Sequence, residues 1–67
     1  MDYRGRYGEY LIESYDGELW GRCEECGKNQ PVYDMRDIYI KDDLTTYKFV
    51  EAACVKCISK MFKAEGN

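Results

Sequence analysis

The chain has no histidine, a single proline and no long apolar run. Each absence closes something off. Without histidine the most versatile general base at neutral pH is missing, and any metal site has to be built from other donors. No stretch approaches the roughly 18 apolar residues that a membrane span needs, so no transmembrane helix is expected. The opening of the chain shows neither the apolar core nor the small-residue cleavage site of a secretory signal, which makes the cytoplasm the expected location. A basic balance is missing too: 13 acidic residues stand against 10 basic ones, a formal charge of −3. A protein this acidic gains little from a phosphate backbone, so nucleic acid is not the default partner.

What is present is cysteine, four times, as Cys23-Glu24-Glu25-Cys26 and Cys54-Val55-Lys56-Cys57. A chain of 67 residues forms one domain, and a domain this small buries too little surface to fold comfortably without a staple. The cysteines are the only candidates. Two disulfides would serve, but a reducing compartment disfavours them, and two Cys-x-x-Cys pairs read more directly as one tetrahedral thiolate site for zinc. Cys23, Cys26, Cys54 and Cys57 are therefore the expected ligands of one zinc ion per chain. Four thiolates close the coordination shell, so no catalytic residue and no enzymatic activity are expected. A redox role of the thioredoxin kind fails for want of a βαβ setting.

Residues 1–9 show no period and are expected to be flexible. Tyr10 to Tyr15 and Glu18 to Arg22 flank Asp16-Gly17, a pair that tolerates the positive φ of a tight turn, which predicts an N-terminal hairpin over 10–22. Gly27 follows Cys26 and suits a knuckle, a turn that presents two thiolates from one side. Val32 to Ile40 and Tyr47 to Val50 are rich in β-branched and aromatic residues and predict a second hairpin around Lys41-Asp42-Asp43. At about 100° per residue, Val55, Ile58, Met61 and Phe62 share one side of a helix, with Lys56, Lys60 and Lys63 opposite. Cys54 and Cys57 would lie in its first turn, where free N–H groups favour thiolates.

Knuckle, hairpin and a helix that supplies the last two ligands resemble the treble-clef zinc finger, over roughly residues 20–65. The matching residues are Cys23, Cys26 and Gly27 for the knuckle and Cys54 and Cys57 for the helix start. A zinc ribbon or rubredoxin fold matches the first half equally well, but two knuckles would place a glycine after the second pair, where Ile58 stands. The expected fold is thus a small α+β zinc-binding domain over 1–67, a treble clef at 23–65 preceded by the hairpin. The extra hairpin is outside the minimal family pattern.

In length, acidity and cysteine pairing the chain is also similar to small bacterial anti-sigma fingers and phage-encoded inhibitors of host machinery. That resemblance implies a zinc-stabilised regulator that docks on a larger protein, such as part of the transcription machinery. Tyr3, Tyr7 and Trp20 are the aromatic candidates for the contact, with Tyr3 and Tyr7 expected to be the most exposed of the seven tyrosines. Lys56, Lys60 and Lys63 offer an alternative, a nucleic-acid-binding face helped by the Tyr- and Arg-rich start of the chain. The bland readings are aromatic rings used as core and lysines on an ordinary solvated helix face.

Overall fold

The structure is a computed structural model and describes residues 3–62. Two antiparallel sheets and one helix make up the domain. Strands β1 (Gly5–Tyr7), β2 (Tyr10–Ser14), β5 (Met35–Lys41) and β6 (Tyr47–Cys54) form a four-stranded sheet in the order β1-β2-β5-β6. Strands β3 (Trp20–Arg22) and β4 (Asn29–Pro31) form a separate ribbon, and helix α1 (Val55–Met61) follows β6 directly.

The hairpin expected around Asp16-Gly17 is not formed. Instead β2 turns back on β1 through Gly8, whose φ of 63° is open to glycine at no steric cost. On its other side β2 pairs with β5, with Ile12 opposite Ile38. Residues 15–19 then carry the chain from the large sheet to the ribbon. Two packing features make this connector a crossover rather than a turn. The buried Asp37 carboxylate accepts the backbone N–H of Asp16. The Tyr15 ring lies so close to Gly17 and Gly21 that a Cβ on Gly21 would come within 2.6 Å of it. Residues 5–7, expected to be flexible, are thereby an ordered edge of the sheet.

The second hairpin forms as expected, but it starts later. Val32–Asp34 is a turn of 3₁₀ helix, and the strand begins at Met35. The β5–β6 ladder shifts register between Ile38 and Tyr39, which leaves Val50 as the extra residue of a bulge.

Residues directly opposite one another share a face of the sheet. On one face Ile12, Ile38 and Ala53 join Ile58 of α1 in the buried core. There Phe62 meets the rings of Tyr7 and Tyr10, with centroids 5.3 and 5.5 Å apart. On the opposite face Met35 stands beside Cys54 and Asp37 beside Ala52, all four buried. The helix thus covers one face, and the cysteine cluster closes the end of the other.

The helix keeps most of its expected pattern. Ile58 is buried and Lys56 and Lys60 are exposed, but Met61 is 42% exposed and does not join the apolar side. Phe62, just past the last turn, takes the place next to the tyrosines. Lys63 and the predicted fading of the helix near residue 65 lie outside the described residues.

Candidate metal centre

Two elements supply the four sulfurs. The ribbon β3–β4 holds Cys23 and Cys26 in its connecting turn, and the junction of β6 and α1 holds Cys54 and Cys57. The turn is pinned by three backbone features. Cys23 N–H donates to Lys28 O at 2.9 Å, Gly27 N–H donates to Cys23 O at 2.7 Å, and Gly27 has a φ of 76°. That conformation is costly for any residue with a Cβ, which explains a glycine directly after the second cysteine.

The turn is then fastened to the strand edge beside it. Glu24 N–H donates to Ala52 O at 3.0 Å, and Ala52 N–H donates to the Glu24 carboxylate at 3.3 Å. One residue pair further along, Cys54 N–H donates to Cys23 Sγ at 3.3 Å. The outer edge of β6 is therefore occupied by the turn at its cysteine end. Cys54 itself caps α1 from an extended conformation, and Cys57 lies in the first turn. The helix thus starts next to Cys54, as expected, and the Cys54 amide serves the sulfur of Cys23.

All four sulfurs lie within 4.8 Å of one another, and those of Cys23 and Cys57 are 3.6 Å apart. Sulfurs at about 2.3 Å from a tetrahedral zinc stand about 3.8 Å from each other, so the cluster is close to the size the ion requires. A disulfide needs about 2.05 Å between sulfurs, and all four cysteines are free. The donor set, four soft sulfurs with no histidine nearby, fits one metal ion of the zinc class.

The electrostatics prepare the site for charge. Burial pushes the Cys23 thiol up, but the backbone N–H groups of Cys26, Cys54 and Glu25 more than offset it, and the thiol falls to about 6. Cys57 goes the other way. Burial, its thiol neighbours and the Cys23 negative charge push it up to about 12. The Cys23 thiolate is thus stabilised by the protein's own dipoles, whereas Cys57 needs a cation to hold its charge. Nearby, Glu51 is raised to about 7 by its hydrogen bond with the Glu25 side chain, by burial, and by the charges of Glu25, Glu24 and Cys23. Asp37 is raised mainly by burial.

The residues singled out as an interaction surface scatter. Tyr3 and Tyr7 are not exposed. Both are half-buried and packed against the core, Tyr7 through its contact with the Phe62 ring. Lys56 and Lys60 are exposed on the helix. Trp20 is 63% exposed, and it has company that sequence reasoning missed: Leu19 at 75% and Tyr33 at 73%. Leu19 O accepts the N–H of Val32 at 3.0 Å, and Trp20 stands opposite Pro31. All three residues thus stand exposed at or next to the open end of the ribbon. The available signal was Trp20-Gly21, since the inward position of β3 is Gly21 and Trp20 beside it is left outside.

Compared with family models, curated proteins and solved structures, the chain matches none. Fold and site define its class on their own: a small α+β domain with a four-cysteine cluster arranged to hold one metal ion. No helix among the described residues is long and apolar enough to cross a membrane.

Proposed function

We propose that this chain is a zinc-stabilised, treble-clef-type module that acts by docking on a larger protein, as a small regulator or inhibitor of machinery such as that of transcription. The order of elements supports the finger type. A glycine-closed knuckle on the β3–β4 ribbon is followed by the β5–β6 hairpin and by a helix that contributes Cys57. The four-sulfur shell supports a structural ion, since it leaves no place for substrate, and we read the protein as non-enzymatic.

One observation carries the docking reading: Trp20 at the start of β3, Leu19 just before it and Tyr33 just after β4 are each exposed. Tryptophan and tyrosine dominate the energetics of protein interfaces, and a small monomer has little reason to leave such a group in water. The nucleic-acid alternative keeps Lys56 and Lys60 but loses Tyr3 and Tyr7 to the core, and it works against a net charge of −3.

The test is photo-cross-linking in the cells that make the protein, from benzoylphenylalanine placed at position 33. A discrete protein adduct that disappears with Trp20→Ala is expected, provided the variant retains its metal and its circular dichroism. An adduct with RNA or DNA alone would favour the alternative, and no adduct from any ribbon position would remove the docking reading.

A further inference from the structure

Strand β6 lies at an edge of the four-stranded sheet, and its outer side is only partly covered. At the cysteine end the knuckle takes the place of a further strand. Ala52 exchanges hydrogen bonds with Glu24, and the Cys54 N–H donates to Cys23 Sγ. No described residue plays that part at the other end. Two hydrogen bonds identify the backbone groups left open there. Lys41 N–H donates to Glu9 O at 2.8 Å, on the β2 side, whereas Asp42 N–H donates to Thr46 O at 3.0 Å, on the β6 side. Backbone groups alternate in direction along a strand, so Lys41 and Tyr39 face β2 while Ile40 faces β6. Their partners follow. Lys48 is bonded to Ile40, and Tyr47 and Phe49, opposite Lys41 and Tyr39, aim their N–H and C=O groups outward. Among the described residues no hydrogen bond engages them.

The other edge of this sheet offers less. Leu11, opposite Tyr39, faces β5, so Tyr10 and Ile12 face β1 and bond Tyr7 and Gly5. Arg6 alone in β1 aims its backbone out, and one residue does not hold a strand.

The side chains along the open stretch of β6 sort onto two faces. Tyr47 and Phe49 share the face of Tyr39, with Phe49 51% exposed and its ring 5.6 Å from that of Tyr39. Lys48 is exposed on the opposite face, beside Ile40. The carboxylate that shares its side of β6, Glu51, is hydrogen-bonded to Glu25 of the knuckle. A second copy fits this edge badly. The antiparallel register that uses every open group sets Tyr47 against Phe49 of the copy and places the two Lys48 side chains directly opposite each other, where like charges repel. The bulge at Val50 ends the pairing there.

We propose that the open stretch of β6, at Tyr47, Lys48 and Phe49, binds an extended segment of a partner protein as an added strand. The segment carries a carboxylate opposite Lys48 and apolar side chains at the two flanking positions. The open backbone groups supply the main-chain hydrogen bonds, the carboxylate pairs with Lys48, and the flanking side chains cover Tyr47 and Phe49. This surface does not involve Trp20, so the proposal stands apart from docking through the ribbon.

Nuclear magnetic resonance of the isotope-labelled, metal-loaded protein tests it with three peptides at millimolar concentration. They are Thr-Val-Glu-Val-Thr, the same peptide with Lys for Glu, and the acidic peptide N-methylated at both valines. The acidic peptide should shift the Tyr47 and Phe49 amide signals and slow their exchange. The lysine peptide should bind about threefold more weakly or worse, and the methylated one not at all. Lys48→Glu should exchange the preference between the charged peptides, whereas Trp20→Ala should leave binding unchanged. Equal binding of the methylated peptide, no preference for the acidic one, loss of binding with Trp20→Ala, or no response to any peptide overturns the proposal. So does protection of Tyr47 and Phe49 that grows with protein concentration alone, which would assign the edge to a second copy. Cross-linking from position 33 reports separately on the ribbon, so the two readings fail independently.

Discussion

Cys23 does more than its three companions. It is fully buried, its sulfur accepts the Cys54 N–H at 3.3 Å, and the Cys26 N–H lies 3.5 Å from the same atom. Serine in its place would lose the metal ligand and leave a harder, smaller acceptor among buried amides. Cys23→Ser should yield protein with no bound metal by native mass spectrometry and without the near-ultraviolet dichroism of packed tyrosines. If that variant stayed folded and metal-free, the site would not be the organising feature of the domain. Gly27 offers a milder test at the same scale. Its left-handed φ is the obstacle, since an added Cβ would find only Arg22 at 3.6 Å. Gly27→Ala should cost about 1 kcal/mol, a fall of roughly 4–8 °C in Tm, with the metal retained. These residues were legible from the sequence because ligand spacing and a glycine after Cys26 are local facts. Burial is not local. Tyr3 and Tyr7 looked exposed for want of a pattern, whereas the depth of Tyr7 depends on Phe62, distant in sequence, packing against its ring.

At the scale of elements, the two failures of sequence reading have one cause. Alternation announces a strand but does not name its partner. Tyr10 to Ser14 reads correctly as a strand, yet Asp16-Gly17 pointed to pairing with β3, and the choice of β1 and β5 instead depends on Tyr15 packing and on Asp37. The helix was easier, because its contacts follow its own period. Even so, the apolar side stops short of Met61 and resumes at Phe62. Phe62→Ala should therefore cost about 2 kcal/mol in a denaturant midpoint, whereas Met61→Ala and Lys60→Ala should each stay within about 0.5 kcal/mol. Equal losses at 61 and 62 would mean that the helix is rotated from the arrangement described.

The junction of knuckle and β6 carries a pH dependence of its own. Glu51 titrates near 7 in the fold, above its ordinary value of 4.5. The folded state therefore holds a proton that the unfolded state releases, and stability from this group falls as pH rises from about 4.5 through 7. Below that window both states are protonated and the carboxylate costs nothing. Above it the full repulsion from Glu25, Glu24 and Cys23 is present. Glu51→Gln removes the charge and keeps a donor for Glu25. Its Tm should match the parent near pH 5 and exceed it increasingly toward pH 8, both measured metal-loaded so that ligand protonation cancels. A difference that was flat with pH would show that Glu51 is an ordinary exposed carboxylate.

At the scale of the whole molecule, the core is small and the cysteine cluster is part of it. Of the six largest fully buried side chains, four are Ile12, Met35, Ile38 and Ile58, and the other two are Cys23 and Cys54. Without an ion, the same interior would hold four sulfurs at close quarters and at least one thiolate. Removing the metal therefore acts on stability twice, by deleting the bond between the ribbon and the β6–α1 junction and by leaving uncompensated charge in the core. Structural zinc in small fingers contributes about 10–16 kcal/mol of apparent binding free energy, more than the roughly 5–15 kcal/mol by which domains are usually stable. Treatment with a strong chelator should thus unfold the chain at room temperature, and readdition of one equivalent of zinc should restore it. The ribbon should respond first, because among the described elements its hydrogen bonds to the large sheet run mainly through the knuckle and the Asp16 connector. Amide exchange would then rise earliest at Cys23 and Glu24 and latest at Ile12 and Ile38. Uniform loss of protection would instead make the metal inseparable from the β2–β5–β6 core, and an unchanged exchange pattern without metal would show that the sheet and helix hold the fold unaided.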